Sequence, residues 1–326
     1  MVTPPGDLLA REYEALVSGV GLIDVGDRTQ IELTGGDRAT FLHNLLTNDV
    51  KVLVPGGGCE AFVTNVQGKI LGHVHVFVGS ESIVLETVPD QAVVLLTHLE
   101  KYLIREDVQI HDRTAEWGEL LLAGPKATAT WASRTGEAPP EELFSHKSAS
   151  IDDRVLHIRR VDLLGPECFL IQAAVEDADV VAEALVDAGS FVCGSVALNT
   201  VRIECGTPFY GRDITDKNLP QEVNRDRRAI SFTKGCYLGQ ETVARLDALG
   251  HVNRLLVGVA FEGKSVPEPG TSLTLQGSEV GRVTSSCFSP KLARPLALAY
   301  VRREHHEPGT RLDSPVAAAE IVRLPF

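Results

Sequence analysis

The sequence predicts an α+β protein of more than one domain, with a C-terminal part built only of strands. Three observations lead there. At 326 residues the chain exceeds one ordinary core, so two or three domains are expected. Up to about residue 250, stretches of helical and strand period alternate. Beyond that point short strands follow one another without a helical pattern.

Residues 7–18 read as an entry helix. Ile31-Glu32-Leu33-Thr34 alternates as a strand, and Gly35-Gly36-Asp37 opens a helix with Phe41, Leu42, Leu45 and Leu46 on its apolar face, ending near Asn48. Residues 59–65 and 70–78 form a hairpin across Val66-Gln67-Gly68-Lys69. Asp90 to Leu103 is helical, with Val94, Leu95 and Leu99 on one side. Pro125 to Ala132 and Val175 to Ala188 are further helices, the second closing at Gly189. Leu255–Phe261, Ser272–Gln276, Glu279–Ser286, Pro295–Val301 and Ala318–Leu324 are the terminal strands, which fit a small antiparallel barrel or a sandwich. Residues 136–142 and 265–270 are Pro-rich loops, and Trp117 and Trp131 are expected in the core.

Composition excludes several classes. With 44% hydrophobic and 23% charged residues the chain is globular. Lys plus Arg number 31 against 44 Asp plus Glu, a net charge of −13, which argues against nucleic acid or an anionic membrane as main partner. Asp7, Arg11, Glu12 and Glu14 interrupt any signal-peptide core, and no stretch approaches the ~18 apolar residues of a membrane span. Cys59, Cys168, Cys193, Cys205, Cys236 and Cys287 include no C-x-x-C pair, which reads as reduced thiols in a cytoplasm. A cluster held by one cysteine from each of several chains stays open.

Lys234-Gly235-Cys236-Tyr237-Leu238-Gly239-Gln240-Glu241 is the most informative stretch. It sets one cysteine between glycines, beside a lysine and an aromatic ring, just before Thr242-Val243-Ala244-Arg245, which can begin a helix. A cation and the free N–H groups of a helix start both favour a thiolate. A small, buried, inert turn cysteine is the other reading of the same residues.

Several segments in order resemble the folate-binding family that contains the glycine-cleavage T-protein (aminomethyltransferase) and its YgfZ-type relatives. They are Gly21-Leu22-Ile23-Asp24-Val25, the run from Phe41 to Val50, Asn65-Val66-Gln67-Gly68-Lys69-Ile70 and the run from Lys101 to Val108. Val201-Arg202-Ile203-Glu204-Cys205-Gly206, Asn218-Leu219-Pro220-Gln221-Glu222, the octapeptide, Gly281-Arg282-Val283-Thr284-Ser285 and Ala297-Leu298-Ala299-Tyr300-Val301 complete the set. The octapeptide resembles the YgfZ-type signature. The resemblance implies a T-protein-like multidomain fold ending in an antiparallel β-barrel. It implies a folate-binding region over residues 1–248, with a second, interleaved subdomain at roughly 52–115, and a barrel over 249–326. It also implies tetrahydrofolate or a related reduced folate as ligand, and iron–sulfur proteins or their assembly factors as partners.

A pterin edge presents two parallel donors that a carboxylate meets with paired hydrogen bonds. The resemblance places Glu204 in that role, at what reads as a strand end. Phe209, Tyr210 and Tyr237 are candidates for the apolar wall of the aminobenzoyl ring. Arg225, Arg227, Arg228, Lys234 and Arg245 supply cations for a glutamate tail, with Arg228 and Lys234 favoured. The T-protein carries an Asp-Asp pair after the hairpin; here Gly72-His73 stands in its place, and Glu86-Thr87-Val88-Pro89 replaces its asparagine-alanine. A placed carboxylate is worth ~10²–10⁴ in rate, so aminomethyl transfer should be crippled. His73 or another group could stand in as acid or base. His73 and His75 share a strand face without a third ligand and read as a solvated face, like His305-His306, so no metal site is expected. The leading expectation is a folate-binding accessory protein for iron–sulfur enzymes with Cys236 as its functional thiol. The alternatives are a tetrahydrofolate-dependent aminomethyl- or methyltransferase, and a scaffold that has lost its ligand.

Overall fold

Three sheets organise the chain, which a computed structural model describes over residues 5–250 and 252–325. The first sheet has five antiparallel strands in the order Gly58–Thr64, Ile70–Val78, Ser82–Thr87, Thr29–Thr34 and Gln109–Asp112. Its two faces differ as the alternation along Ile70–Val78 dictates. Val74, Val76 and Val78 join Phe41 and Leu42 of the helix Arg38–His43, and Leu95 and Leu99 of the helix Ala92–Tyr102, in one apolar core. Gly72 lies on that face because a Cβ there would stand 2.8 Å from the Leu95 side chain. The opposite face carries a polar row across four strands, in which Glu60 pairs with His75, His75 with Glu86, and Glu86 with Gln30.

The second sheet runs Phe191–Val192, Gly21–Asp24, Trp117–Ala123, Cys168–Ala174, Arg154–Val161 and His146–Ile151. One side packs with Trp131 of the helix Ala127–Thr135 and with Val181 and Leu185 of the helix Ala178–Asp187. The other packs with Tyr13 and Leu16 of the helix Pro5–Ser18 and with Ala197 and Val201 of the helix Ser195–Glu204. Glu119, Arg159 and Gln172 leave this sheet to meet the polar row of the first.

The third sheet is antiparallel and runs Ser272–Leu275, Ser278–Ser289, Arg294–Arg302, Arg254–Phe261, Ala319–Val322 and Arg311–Leu312. A bridge between Thr274 and Asp313 joins its ends, so the expected barrel is nearly closed. Its interior is filled by Val259, Phe261, Leu273, Val283, Ala299 and Ile321. No helix among the described residues is long and apolar enough to cross a membrane.

Several local expectations need correction. The helix opened near Gly35 stops at His43, because Leu46 bridges Val63 and the Thr47 N–H donates to the Phe62 carbonyl at 3.0 Å. Arg202-Ile203-Glu204 is the last turn of a helix and not a strand end. Trp131 is fully buried, whereas Trp117 is half-exposed beneath the Arg113 guanidinium. His73 and His75 are not a solvated face: their side chains are 9% and 7% exposed, because the second sheet covers them.

Candidate functional site

Glu204 closes the helix Ser195–Glu204, which touches both the entry helix Pro5–Ser18 and the barrel strand Ser278–Ser289. That three-element junction leaves it 5% exposed. The Tyr13 hydroxyl donates to its two carboxylate oxygens at 3.2 and 2.9 Å, and the Ser289 hydroxyl donates to Oε1. Burial, reinforced by Glu204, pushes the Tyr13 hydroxyl well above its ordinary pKa. Cys205 and Cys287 flank the carboxylate, and burial together with its charge pushes both thiols up to about 12. A buried carboxylate is thus held by neutral donors, each able to rotate about a C–O bond.

The octapeptide is built mostly to hold structure. Lys234 is 8% exposed, and its ammonium donates to the carbonyls of His43, Leu46 and Asn48 at 2.5, 2.7 and 2.8 Å. It thereby satisfies the orphan carbonyls that follow the helix Arg38–His43. Burial draws its pKa down to about 8. Tyr237 is 7% exposed, lies under that ammonium at 4.8 Å and belongs to a core shared with the barrel. The Leu238 N–H donates to the Asn44 carbonyl at 2.9 Å, and its own carbonyl accepts from Thr64 Oγ1 at 2.6 Å. Gly239, at φ +81°, starts the expected helix Gln240–Leu249 as its cap. A Cβ there would meet the Asn65 carbonyl at 2.4 Å and Gly68 Cα at 2.9 Å, so hairpin and signature lock together backbone to backbone.

Cys236 is the one exposed cysteine of the six. Burial pushes the thiols of Cys59, Cys168, Cys205 and Cys287 up to about 12 and that of Cys193 to about 11. Among the described residues no contact joins Cys236 to Glu204. Chemistry at the thiol and at the carboxylate therefore has to be considered separately.

Between the first two sheets lies a buried ionic assembly that spacing did not reveal. Glu60, fully buried, accepts from Arg225 Nη2 at 2.7 Å and from Arg225 Nε; His73 Nε2 lies 2.6 Å from Glu60 Oε1, and Arg228 Nε pairs with Oε2 at 3.3 Å. Burial alone would raise this carboxyl; the Arg225 guanidinium and His73 outweigh it and hold it well below its ordinary range. Burial also draws the His73 pKa down. Arg228 pairs with Asp162 at 2.7 Å and lies over the Phe144 ring, 32% exposed. Beside this group Glu86 is held by Arg28 and by His75 at 2.8 Å, while Arg159 reaches Glu119 at 3.0 Å and Gln30 at 3.2 Å. Tyr210 is half-buried, with its hydroxyl 3.5 Å from the Ile70 carbonyl, and Phe209 lies under Arg202. Arg227 and Arg245 are exposed. The structure therefore gathers Arg228 with His73 around Glu60 and sets Lys234 and Tyr237 together; among the described residues no hydrogen bond or ion pair joins Glu204 to either group. Tyr13 and Ser289 carried no signal in the sequence, since they reach Glu204 from 191 and 85 positions away.

Comparison with known proteins bears on this architecture as a whole. Residues 5–234 match the GCVT N-terminal domain, and residues 254–326 match the glycine cleavage T-protein C-terminal barrel domain. The chain is 28% identical over 332 residues to an aminomethyltransferase of Nostoc, covering 98% of this chain and 87% of the relative. It is 27% identical over 334 residues to an aminomethyltransferase of Bacillus subtilis, covering 98% and 90%. The crystal structure of glycine cleavage system aminomethyltransferase T from Bartonella henselae superposes with a TM-score of 0.89 at 23% identity, covering 98% of this chain and 89% of that one, and so shares the fold. With both domain profiles matched in order across nearly its whole length, the chain belongs to the glycine-cleavage T-protein family.

Proposed function

We propose that this chain binds tetrahydrofolate or a related reduced folate and supports iron–sulfur enzymes through the Cys236 thiol, without itself transferring one-carbon units. The observation that carries the ligand reading is Glu204: a carboxylate 5% exposed whose hydrogen bonds come from two neutral hydroxyls. A buried carboxylate is costly to desolvate, and hydroxyls that can turn aside leave it free to take the paired N–H donors of a pterin edge. Family membership supports the same ligand. The thiol reading is supported by the contrast between exposed Cys236 and five thiols that burial keeps protonated.

The reading against transfer rests on His73. It stands where the T-protein pair of aspartates is implied, and its Nε2 faces Glu60 at 2.6 Å. That nitrogen is committed to Glu60 inside the buried cluster and does not serve a substrate. Calorimetric titration with tetrahydrofolate tests the ligand: wild type gives saturable heat and Glu204→Ala loses it. Absence of heat in wild type at millimolar folate would favour a ligand-free scaffold. Cys236→Ser is expected to fail in restoring iron–sulfur enzyme activity to a deletion strain, and full restoration refutes the thiol's part. Folate-dependent one-carbon transfer at ordinary enzymatic rates would establish the transferase reading instead.

A further inference from the structure

We infer that the cleft at the open end of the second sheet, floored by Gln172 and walled by Trp117 and His157, binds an uncharged purine-type base or nucleoside. The site goes beyond the proposed function, since neither Glu204 nor Cys236 lines it. Trp117 registers with Ala174; two residues along, Glu119 registers with Gln172, and Gln172 with His157, so these side chains share one face of the sheet. That face is sealed where Arg159 pairs with Glu119 and reaches Gln30 of the first sheet. At Trp117 and His157, both half-exposed, it opens into a cleft of about 550 Å³ bordered by Val155, Val175 and Glu176. Such a volume suits a small molecule.

Gln172 supplies the recognition. It is 5% exposed, and its Oε1 accepts from Arg159 Nη2. A guanidinium carries only donors, so this contact fixes which end of the amide turns inward and leaves the NH₂ for the cleft that the residue lines. Nε2 meets no hydrogen-bond partner among the described residues. A nearly buried donor left unpaired costs free energy, which an acceptor on a ligand recovers.

Trp117 supplies the platform. Its backbone N–H donates to the Arg113 carbonyl at 3.1 Å. The Arg113 guanidinium, held by Glu32 at 3.0 Å and Glu116 at 2.7 Å, lies 6.0 Å from the ring centroid. A cation is thus already in place, and what the half-exposed indole still offers is a surface for stacking. Ala174 beside it is too small to cover the ring. Two fused rings match the area of an indole, which favours a purine over a single-ring base. Charge then selects against phosphate. No Lys or Arg lines the cleft, and Glu176 at its rim is exposed. Burial, with Arg159 adding to it, draws the His157 pKa below its ordinary value, so the imidazole is neutral near pH 7. A carboxylate without a neighbouring cation in the lining accepts from an amino group or ring N–H and repels an anion.

The test is calorimetric titration of the full chain with adenosine, inosine and AMP, with tryptophan emission followed alongside. Trp131 is fully buried, so a change in emission reports Trp117. Adenosine and inosine should bind saturably with a dissociation constant below about 1 mM and alter the emission. AMP should bind about tenfold more weakly at low salt. Gln172→Glu keeps an acceptor for Arg159 but removes the N–H donors, and should weaken adenosine about tenfold. Trp117→Leu should weaken it about tenfold or more, the worth of one stacked base, and decides the matter where Gln172→Glu fails to fold. No saturable heat from either nucleoside at about 5 mM overturns the inference. Equal affinity for AMP and adenosine overturns it as well. So does adenosine binding that survives Trp117→Leu unchanged or vanishes in Glu204→Ala, because the base then sits elsewhere. Tetrahydrofolate heat lost in Glu204→Ala and kept in Trp117→Leu leaves the proposed function standing whichever way the cleft is decided.

Discussion

The Glu60 cluster and the Glu204 corner are both buried carboxylates, yet the protein treats them in opposite ways. Glu60 receives two guanidinium groups and an imidazole, all from the folded chain. Glu204 receives hydroxyls. Guanidinium pairs are strong and directional, and a carboxylate so engaged has little left to offer a ligand. Hydroxyl donors satisfy the carboxylate at lower strength and give way to better donors. The first arrangement fastens the segment carrying Arg225 and Arg228 onto the first sheet, and the second keeps an acidic group in reserve.

Removing the carboxylate in each place should break or sharpen this contrast. Glu60→Ala leaves Arg225 and Arg228 facing a hole where their partner stood, and should cost about 3–5 kcal/mol of stability in denaturant unfolding. A loss below about 1 kcal/mol would mean that the assembly is a bystander. The same residue sets an acid limb. Its carboxyl is held below the ordinary value of 4.5, so its stabilisation is fully present above that pH and fades as pH falls toward its folded value. Glu60→Gln should flatten the pH dependence of unfolding below 4.5, measured as the denaturation midpoint against pH.

Lys234→Met tests the clamp on the carbonyls after the helix Arg38–His43. Three charge-assisted hydrogen bonds vanish, and a loss of about 2 kcal/mol is expected in the same unfolding measurement. Unchanged stability with weakened folate binding would instead place Lys234 in the ligand site. Glu204→Ala should cost only about 1 kcal/mol, because the hydroxyls of Tyr13 and Ser289 can re-pair, while the melting-temperature rise given by reduced folate disappears. Cys236→Ser sits at the small end. At an exposed position the change should stay within about 0.5 kcal/mol, so any lost activity reflects chemistry and not folding.

Much of the fold was legible because local pattern and final packing agree. The hairpin read across Val66-Gln67-Gly68-Lys69 is the pair Gly58–Thr64 and Ile70–Val78, and the helix read from Asp90 is Ala92–Tyr102. The barrel strands lie within a few residues of where alternation put them. The second sheet was the part not read. Leu120-Leu121-Leu122-Ala123 is apolar on both faces, so period-two alternation is erased where a strand is covered from both sides. Glu204 was misread as a strand end because Val201-Arg202-Ile203 alternates over too few residues to separate strand from helix.

The sequence by itself determined the family and the C-terminal barrel, because each is carried by residues adjacent in the chain. Tertiary structure alone decided what the polar groups do. His73 and His75 look solvated in a strand pattern and become buried once a second sheet covers them. The ammonium of Lys234, adjacent in the chain to the cysteine, donates to carbonyls of a segment 186 to 191 positions away. Glu204 meets Tyr13 across 191 positions and Ser289 across 85. Charge and hydrogen bonding act through space over a few ångströms, and only folding sets which residues stand that close.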